Sequence, residues 1–288
     1  MQAEPQFARP TTLDQALGLL ATGERRILAG GTDIYPALGT RPLAESVLDL
    51  SRLSSIRGIG VSDGIVRIGG ATTWSDLIAA DLPSGFDGLK AAAREVGSVQ
   101  IQNRGTVAGN ICNASPAADG VPPLLALDAS VELRSAKGLR VVRLDDFITG
   151  NRLTLRASDE LVTAILVPYG LAHSRSTFLK LGARRYLVIS IAMVAINLMT
   201  DMEGEITQAR VAVGACSAVA RRLPALEARL IGRKAAAGIG AAAAAAHLEP
   251  LTPIDDLRAS ASYRLDAALT LLRRGLEKCA AGDAGGMP

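Results

Sequence analysis

The 288-residue chain is long enough for two packed domains. With 49% apolar and 20% charged residues its composition is that of a globular protein, which excludes a disordered or fibrous chain. A formal net charge of +3 beside only 3% aromatic residues provides few stacking platforms, so the charge does not point to a nucleic-acid partner.

The first ten residues, MQAEPQFARP, have no basic stretch followed by an apolar one, so no secretory signal is expected and the cytoplasm is the expected location. Thr12 and Gln15 are spaced as a capping box, and Leu13, Ala16, Leu17 and Leu20 share one helical face that Gly23 should stop. A short strand at 26–29 runs into Gly30, Gly31, Thr32 and Asp33, and 34–38 begins a helix that breaks near Gly39 and Pro42. Strands are expected at 47–50, 56–59 and 65–68, the last two joined by a turn at Ser62, Asp63 and Gly64. Helices follow around Trp74, Leu77 and Ile78 and over 89–96, where Gly97 ends the second.

Residues 100–119, QIQNRGTVAGNICNASPAAD, are so rich in small and amide side chains that they read as a loop that touches something. A hairpin over 131–144 turns at Lys137 and Gly138, and a strand at 160–167 ends at Pro168. The segment 171–176 reads as a linker. Beyond it come strands at 177–181, 187–199 and 206–215, Glu203 and Gly204 turning the second into the third, then helices at 223–231, around 241–248 and at 263–279. The pattern predicts a smaller C-terminal α+β domain of three antiparallel strands backed by helices. The apolar run from Tyr186 to Met199 is shorter than the roughly 20 residues of a membrane helix and rich in β-branched residues, which favours a buried strand.

Cys112, Cys216 and Cys279 are far apart and form no CxxC pair, and the only histidines are His173 and His247. A disulfide framework, an iron-sulfur site or a zinc site is therefore not expected, and any redox chemistry must come from an organic cofactor.

A pyrophosphate needs backbone N–H donors at close range with no side chain in the way, which Gly30 and Gly31 can supply, with Thr32 adding a hydroxyl and the following helix its positive end. An ordinary tight turn explains the same glycines, and the sequence is not GxGxxG, so a Rossmann fold is not indicated. Gly105, Thr106, Val107, Ala108, Gly109 and Asn110, followed by Asn113, Ser115 and Asp119, concentrate hydrogen-bonding groups in the same way. A self-stabilised loop and a ligand loop both fit that composition.

The segments AGGTDIYPAL and QIQNRGTVAGNICNASPAADGVPPLLALDASVEL resemble the two signature segments of the FAD-binding subunits of the xanthine dehydrogenase and carbon monoxide dehydrogenase family. FITGNRLTL at 147–155, DELV at 159–162 and FLKLG at 178–182 match further along, in the same order. The resemblance implies an α+β fold, with a two-part FAD-binding domain of the PCMH-like type over 1–170, subdivided near 55, and a C-terminal domain over 177–282. It implies that Leu28, Ala29, Gly30, Gly31, Thr32, Asp33 and Ile34 wrap the FAD pyrophosphate. By the same correspondence Thr106, Ala108, Gly109, Asn110 and Ser115 lie along the cofactor, Asp119 near the adenosine ribose, Val162 behind the adenine and Lys180 near the flavin. The family usually has arginine in place of Gln102 and glycine in place of Ala108, and the chain lacks the cysteine-bearing insertion of the benzoyl-coenzyme A reductase branch.

The implied role is electron transfer from the iron-sulfur clusters of a small [2Fe-2S] subunit, fed by a large molybdenum-cofactor subunit, through FAD to NAD, oxygen or a quinone. No residue of this chain is expected to be catalytic or to bind metal. A stand-alone FAD-dependent oxidoreductase of the same fold and a non-redox scaffold subunit are the alternatives.

Overall fold

The computed structural model describes residues 6–185 and 187–281. Tyr186, where the long apolar run begins, the first five residues of the segment read for a signal, and the expected domain end at 282 lie outside the described residues.

The chain begins with a parallel three-stranded sheet, β1 (Phe7–Ala8), β2 (Arg26–Leu28) and β3 (Val47–Asp49), in the order β1-β3-β2. Helix α1 (Leu13–Ala21) covers it with Ala16, Leu17 and Leu20. Its cap is Thr12, whose hydroxyl accepts from the Gln15 amide at 3.3 Å, but the Gln15 side chain reaches back to Thr11 rather than to Thr12, so the expected box is shifted by one residue. The turn after β2 enters α2 (Ile34–Leu38), which is a single turn closed by Gly39 at φ +58. So short a helix has little macrodipole, and the expected positive end is weak.

A second, antiparallel sheet of order β4-β5-β10-β6-β7 forms the centre: β4 (Ile59–Ser62), β5 (Ile65–Gly69), β6 (Ser130–Ser135), β7 (Gly138–Arg143) and, after the small hairpin β8 (Ile148–Gly150) and β9 (Leu153–Thr154), the long β10 (Leu161–Pro168). The strand expected at 56–59 is instead a 3-10 turn, Ser54–Ile56, because Ile56 turns inward beneath the first sheet, and β4 begins only at Ile59. Packed on this sheet are α3 (Trp74–Ala79), α4 (Asp87–Glu95), α5 (Val99–Gln102), α6 (Val107–Asn113), α7 (Val121–Ala126) and the short α8 (Leu144–Phe147), which bury Trp74, Phe86, Leu89, Ile111, Leu124 and Phe147 in one core. Residues 100–119 are thus not a simple loop. Their apolar members Val107, Ala108 and Ile111 recur at helical spacing and are buried on α6.

The third sheet is antiparallel, β11 (Arg175–Leu181), β12 (Ala192–Thr200), β13 (Ile206–Gly214) and a two-residue β14 (Arg221–Arg222) beyond the three expected strands. It is backed by α9 (Pro224–Leu230) and α10 (Ala261–Ala281), with the third core between. The alanine-rich stretch expected as a helix near 241–248 forms two 3-10 turns, Ile239–Ala242 and Ala245–Leu248. The side chain of Glu277 ties down the start of that stretch by accepting from the amides of Gly238 and Gly240.

Segment 171–176 is not a free linker. Leu171, Ala172 and Ser174 are buried, Gly85 donates to the Ala172 carbonyl at 2.7 Å, and the buried Asn197 amide donates to both Gly85 and Ser174. A fourth cluster, Ala92, Ala126, Phe178, Met193 and Ala195, joins α4 and α7 to the third sheet. No helix among the described residues is long and apolar enough to cross a membrane.

Two carboxylates brace the central sheet. Glu160 receives both forks of Arg140, at 2.6 and 2.8 Å, and the Ala157 amide; Arg140 thereby holds its carboxyl below the usual glutamate value against the effect of burial. Burial opposes the charge on Glu132 still more, but bonds from Thr163 and Arg67 outweigh it and the net displacement is again downward. A carboxyl with a lowered folded pKa stabilises the fold above its unfolded value and loses that contribution as pH falls through the folded value. Stability to urea should therefore fall as pH drops below about 4.5, and the Glu160→Gln variant, although weaker at pH 7, should show a shallower decline over the same span.

Candidate functional site

A cavity of about 1020 Å³ lies where the first sheet, the central helices and the β8–β9 hairpin meet. Ligand pockets typically hold ~300–1,000 Å³, so this one is large enough for an extended ligand. Its walls come from residues 24–34, 105–119 and 152–162, with Gly70, Trp74 and Ile189 between them.

The floor depends on a close backbone approach. A Cβ on Gly30 would overlap the carbonyl of Arg104, so the turn after β2 and the segment before α6 touch only because residue 30 has no side chain. Gly31 has φ +74, and a Cβ there would lie 2.6 Å from the Tyr35 ring. Among the described residues no acceptor is bonded to the amides of residues 30, 31, 32 or 33, although Gly31 itself is buried. Buried backbone donors are nearly always paired, so the unpaired Gly31 amide calls for an acceptor, and with the free amides of residues 30, 32 and 33 beside it the turn suits an anion.

Opposite this turn stands the start of α6. Thr106 caps it, its hydroxyl accepting from the Gly109 amide at 2.9 Å, and the Ala108 amide has no acceptor among the described residues. Gly109 is helical and does not have positive φ; that conformation falls instead on Ala114, φ +47, at the C-cap. The glycine at 109 serves space, since a Cβ would lie 2.8 Å from the Thr106 hydroxyl. Asn110 Oδ1 is buried without a donor, and so is Arg25 Nη1 with no acceptor, both on residues that line the cavity. An acceptor and a donor left open there suit a polar ligand that supplies both complements.

Asp119 lies at the far wall, fully engaged. Its Oδ2 accepts from Lys180 Nζ at 2.7 Å and its Oδ1 from Ser190 Oγ at 2.7 Å, while Lys180 also reaches the Glu95 carbonyl at 3.4 Å. Burial pushes the Asp119 carboxyl above the usual aspartate value, with Lys180 opposing. Cys112 also lines the cavity, and burial pushes its thiol up to about 11, so it is a neutral thiol rather than a nucleophile.

Of the residues singled out from sequence, Ala29, Gly30, Gly31, Thr32, Asp33, Ile34, Thr106, Ala108, Gly109, Asn110, Ser115, Asp119 and Val162 line this one cavity. Leu28 and Lys180 do not: Leu28 is turned into the protein, and Lys180 reaches the wall through Asp119. Sequence reasoning missed Arg25, Trp74, Arg152, Arg156 and Ile189. Arg152 lies inside the FITGNRLTL motif, which was the available signal; the others carry none. Among the described residues no group of three or more His, Cys, Asp or Glu could hold a metal ion.

Two family models match most of the chain: the FAD binding domain in molybdopterin dehydrogenase over residues 3–170 and the CO dehydrogenase flavoprotein C-terminal domain over 177–279. The nicotine 6-hydroxylase medium subunit of Paenarthrobacter nicotinovorans is 31% identical over 96% of this chain and 97% of its own. The nicotinate dehydrogenase FAD-subunit of Eubacterium barkeri is 34% identical over 71% of this chain and 72% of its own. Among solved structures, carbon monoxide dehydrogenase from Hydrogenophaga pseudoflava, in a form lacking the Mo-pyranopterin moiety, has a chain that matches with a TM-score of 0.87 at 27% identity, covering 98% of this chain and 99% of that one.

Ala108 is the second residue of α6, with negative φ, so a glycine there would relieve no strain. Ala108→Gly should lower the unfolding free energy by about 0.5–1 kcal/mol through backbone freedom, measured by urea denaturation of the ligand-free chain. A gain in stability instead would show that residue 108 is strained.

Proposed function

The chain belongs to the family of FAD-binding subunits of molybdopterin dehydrogenases, and from that membership we propose that it holds FAD in the cavity between residues 29–34 and 105–119. The observation that carries this placement is the meeting of two glycine-bearing segments whose backbones touch, leaving the amides of residues 30–33 free and a buried Asn110 oxygen without a donor. The free amides suit the pyrophosphate, with Thr32 beside them, and Thr106, Ala108, Gly109, Asn110 and Ser115 run along the opposite wall. Val162 offers an apolar backing for a ring, while Asp119, held by Lys180 and Ser190, sets the charge of the far wall. Leu28 acts indirectly, anchoring the turn through its carbonyl, which accepts from the Leu50 amide at 2.8 Å.

When bound, FAD supplies a ring that takes up electrons singly and gives them up in pairs. The residues of this chain bind and orient it; none needs to act as acid, base or nucleophile. The division of labour we infer is a cofactor-binding domain over 1–170 and a C-terminal domain over 177–282, from which Lys180 of β11 and Ser190, just before β12, support Asp119 from behind the cavity wall. Electrons would enter from the iron-sulfur clusters of a small subunit fed by a large molybdenum subunit, and leave to NAD, oxygen or a quinone, in the cytoplasm.

The FAD reading is tested by affinity. FMN lacks the second phosphate and the adenosine, so the full chain should prefer FAD by at least a hundredfold, about 2.7 kcal/mol, in fluorescence-quenching titrations. Equal affinity for the two flavins would sink it.

A side chain at Gly31 would be strained at positive φ and would press on Tyr35. Gly31→Val should therefore weaken FAD binding by about tenfold or more while circular dichroism remains that of a folded chain. Full flavin occupancy in a folded Gly31→Val variant would show that the turn does not hold the cofactor.

A further inference from the structure

Asp33 stands at the N-cap of α2, where an aspartate ordinarily accepts from the second or third amide of its own helix. It makes no such bond. Pro36 has no amide to offer at the third position, and Asp33 Oδ1 accepts instead from Asn113 Nδ2 at 2.8 Å, across the cavity mouth. Asn113 Oδ1 in turn accepts from Arg152 Nη1. Arg152 is set in place by its backbone, which takes the left-handed conformation at φ +59 and donates its amide to the Ala114 carbonyl at 2.9 Å.

The order of these three groups leaves one arrangement. A guanidinium only donates and a carboxylate only accepts, so the residue between them must do both, and the two ends fix which way the Asn113 amide points. The relay joins three distant parts of the chain: the turn after β2, the end of α6 and the β8–β9 hairpin. Its result is that the Asp33 carboxylate is bonded to Asn113 and to none of the amides of residues 30–33. Without the relay the same carboxylate could fold back on those amides, and its charge would oppose any anion there.

We propose that Arg152, acting through Asn113, is a positioning residue that keeps the Asp33 carboxylate off the turn and so leaves the amides of residues 30–33 open to the FAD pyrophosphate. This rests on the FAD reading given above. Arg152 touches no reacting atom in this role. It acts on Asp33 through one intervening amide.

The test uses the full chain, stripped of flavin and titrated with FAD, as wild type and as the Arg152→Leu, Arg152→Lys and Asn113→Asp variants. Arg152→Leu should raise the FAD dissociation constant about tenfold, the effect of losing a charge-assisted hydrogen bond, with the melting temperature of the flavin-free chain unchanged. Arg152→Lys can still donate to Asn113 and should recover most of the affinity. Asn113→Asp sets a second carboxylate against Asp33, and such a pair takes up a proton more readily than either alone. Its FAD affinity should be about tenfold below wild type at pH 8 and climb back towards wild type by pH 5, where a shared proton restores the bond, while wild-type affinity stays flat. Wild-type affinity in all three variants, or a loss in Asn113→Asp that does not change with pH, would overturn the relay and leave the FAD reading standing. A wild-type chain that takes up no FAD would overturn both.

Discussion

The structure depends on one close approach, that of Gly30 to the backbone of Arg104 and Gly105. Gly30 lies in the turn after β2 and Arg104 and Gly105 between α5 and α6, far apart in the chain, and a Cβ does not fit between them. The contact brings the first sheet against the helices of the second and sets the width of the cavity that both border. It also explains why the amides of residues 30–33 stay free. The Leu28 carbonyl accepts from Leu50, and the chain turns away into α2 after a single residue of left-handed backbone, Gly31.

The C-terminal half reaches the same cavity through charge. Lys180 on β11 and Ser190 just before β12 both bond Asp119, and the Lys180–Asp119 pair is almost entirely buried. Removing one member of such a pair leaves an uncompensated buried charge, typically ~3–5 kcal/mol. The cavity wall at Asp119 therefore cannot keep its form without the third sheet. Glycine and alanine make the contact close: a Cβ on Gly88 of α4 would lie 3.0 Å from the Thr177 carbonyl, and Ala92 and Ala126 pack against Ala195 and Met193. A lysine that family likeness alone would set beside the flavin is found holding two parts of the chain together through Asp119.

Much of this was legible in the sequence because it rests on local chemistry. The glycines after β2, the turn at Asp63 and Gly64, the hairpin at Lys137 and the apolar faces of α1, α4 and α10 follow from backbone sterics and periodicity, which act over a few residues. The two cavity-lining segments stood out for the same reason, through their small and polar side chains. Errors came where a short-range signal competed with a long-range one. Ile56 has strand-forming character yet serves the first core as a turn, and 241–248 is alanine-rich yet is held in 3-10 turns, with Glu277 of α10 bonded to the amides of Gly238 and Gly240 just before it. Residues 100–119 look like a loop because small and amide side chains predominate, while three apolar residues at helical spacing and the Thr106 cap decide for a helix at 107–113.

By itself the sequence determined that two segments concentrate glycine, hydroxyl and amide groups, because those are properties of residue type and spacing, while the individual FAD contacts came only as what a family resemblance implies. Only the tertiary structure decided that thirteen of them face one cavity while Leu28 and Lys180 stand behind its wall. It alone brought Asp33, Asn113 and Arg152, from three separate segments, into one hydrogen-bonded line. The physical reason is that hydrogen bonds and buried charges are satisfied between whichever groups the packed backbones bring within about 3 Å, and that proximity is set by three sheets and their cores, not by any stretch of neighbouring residues.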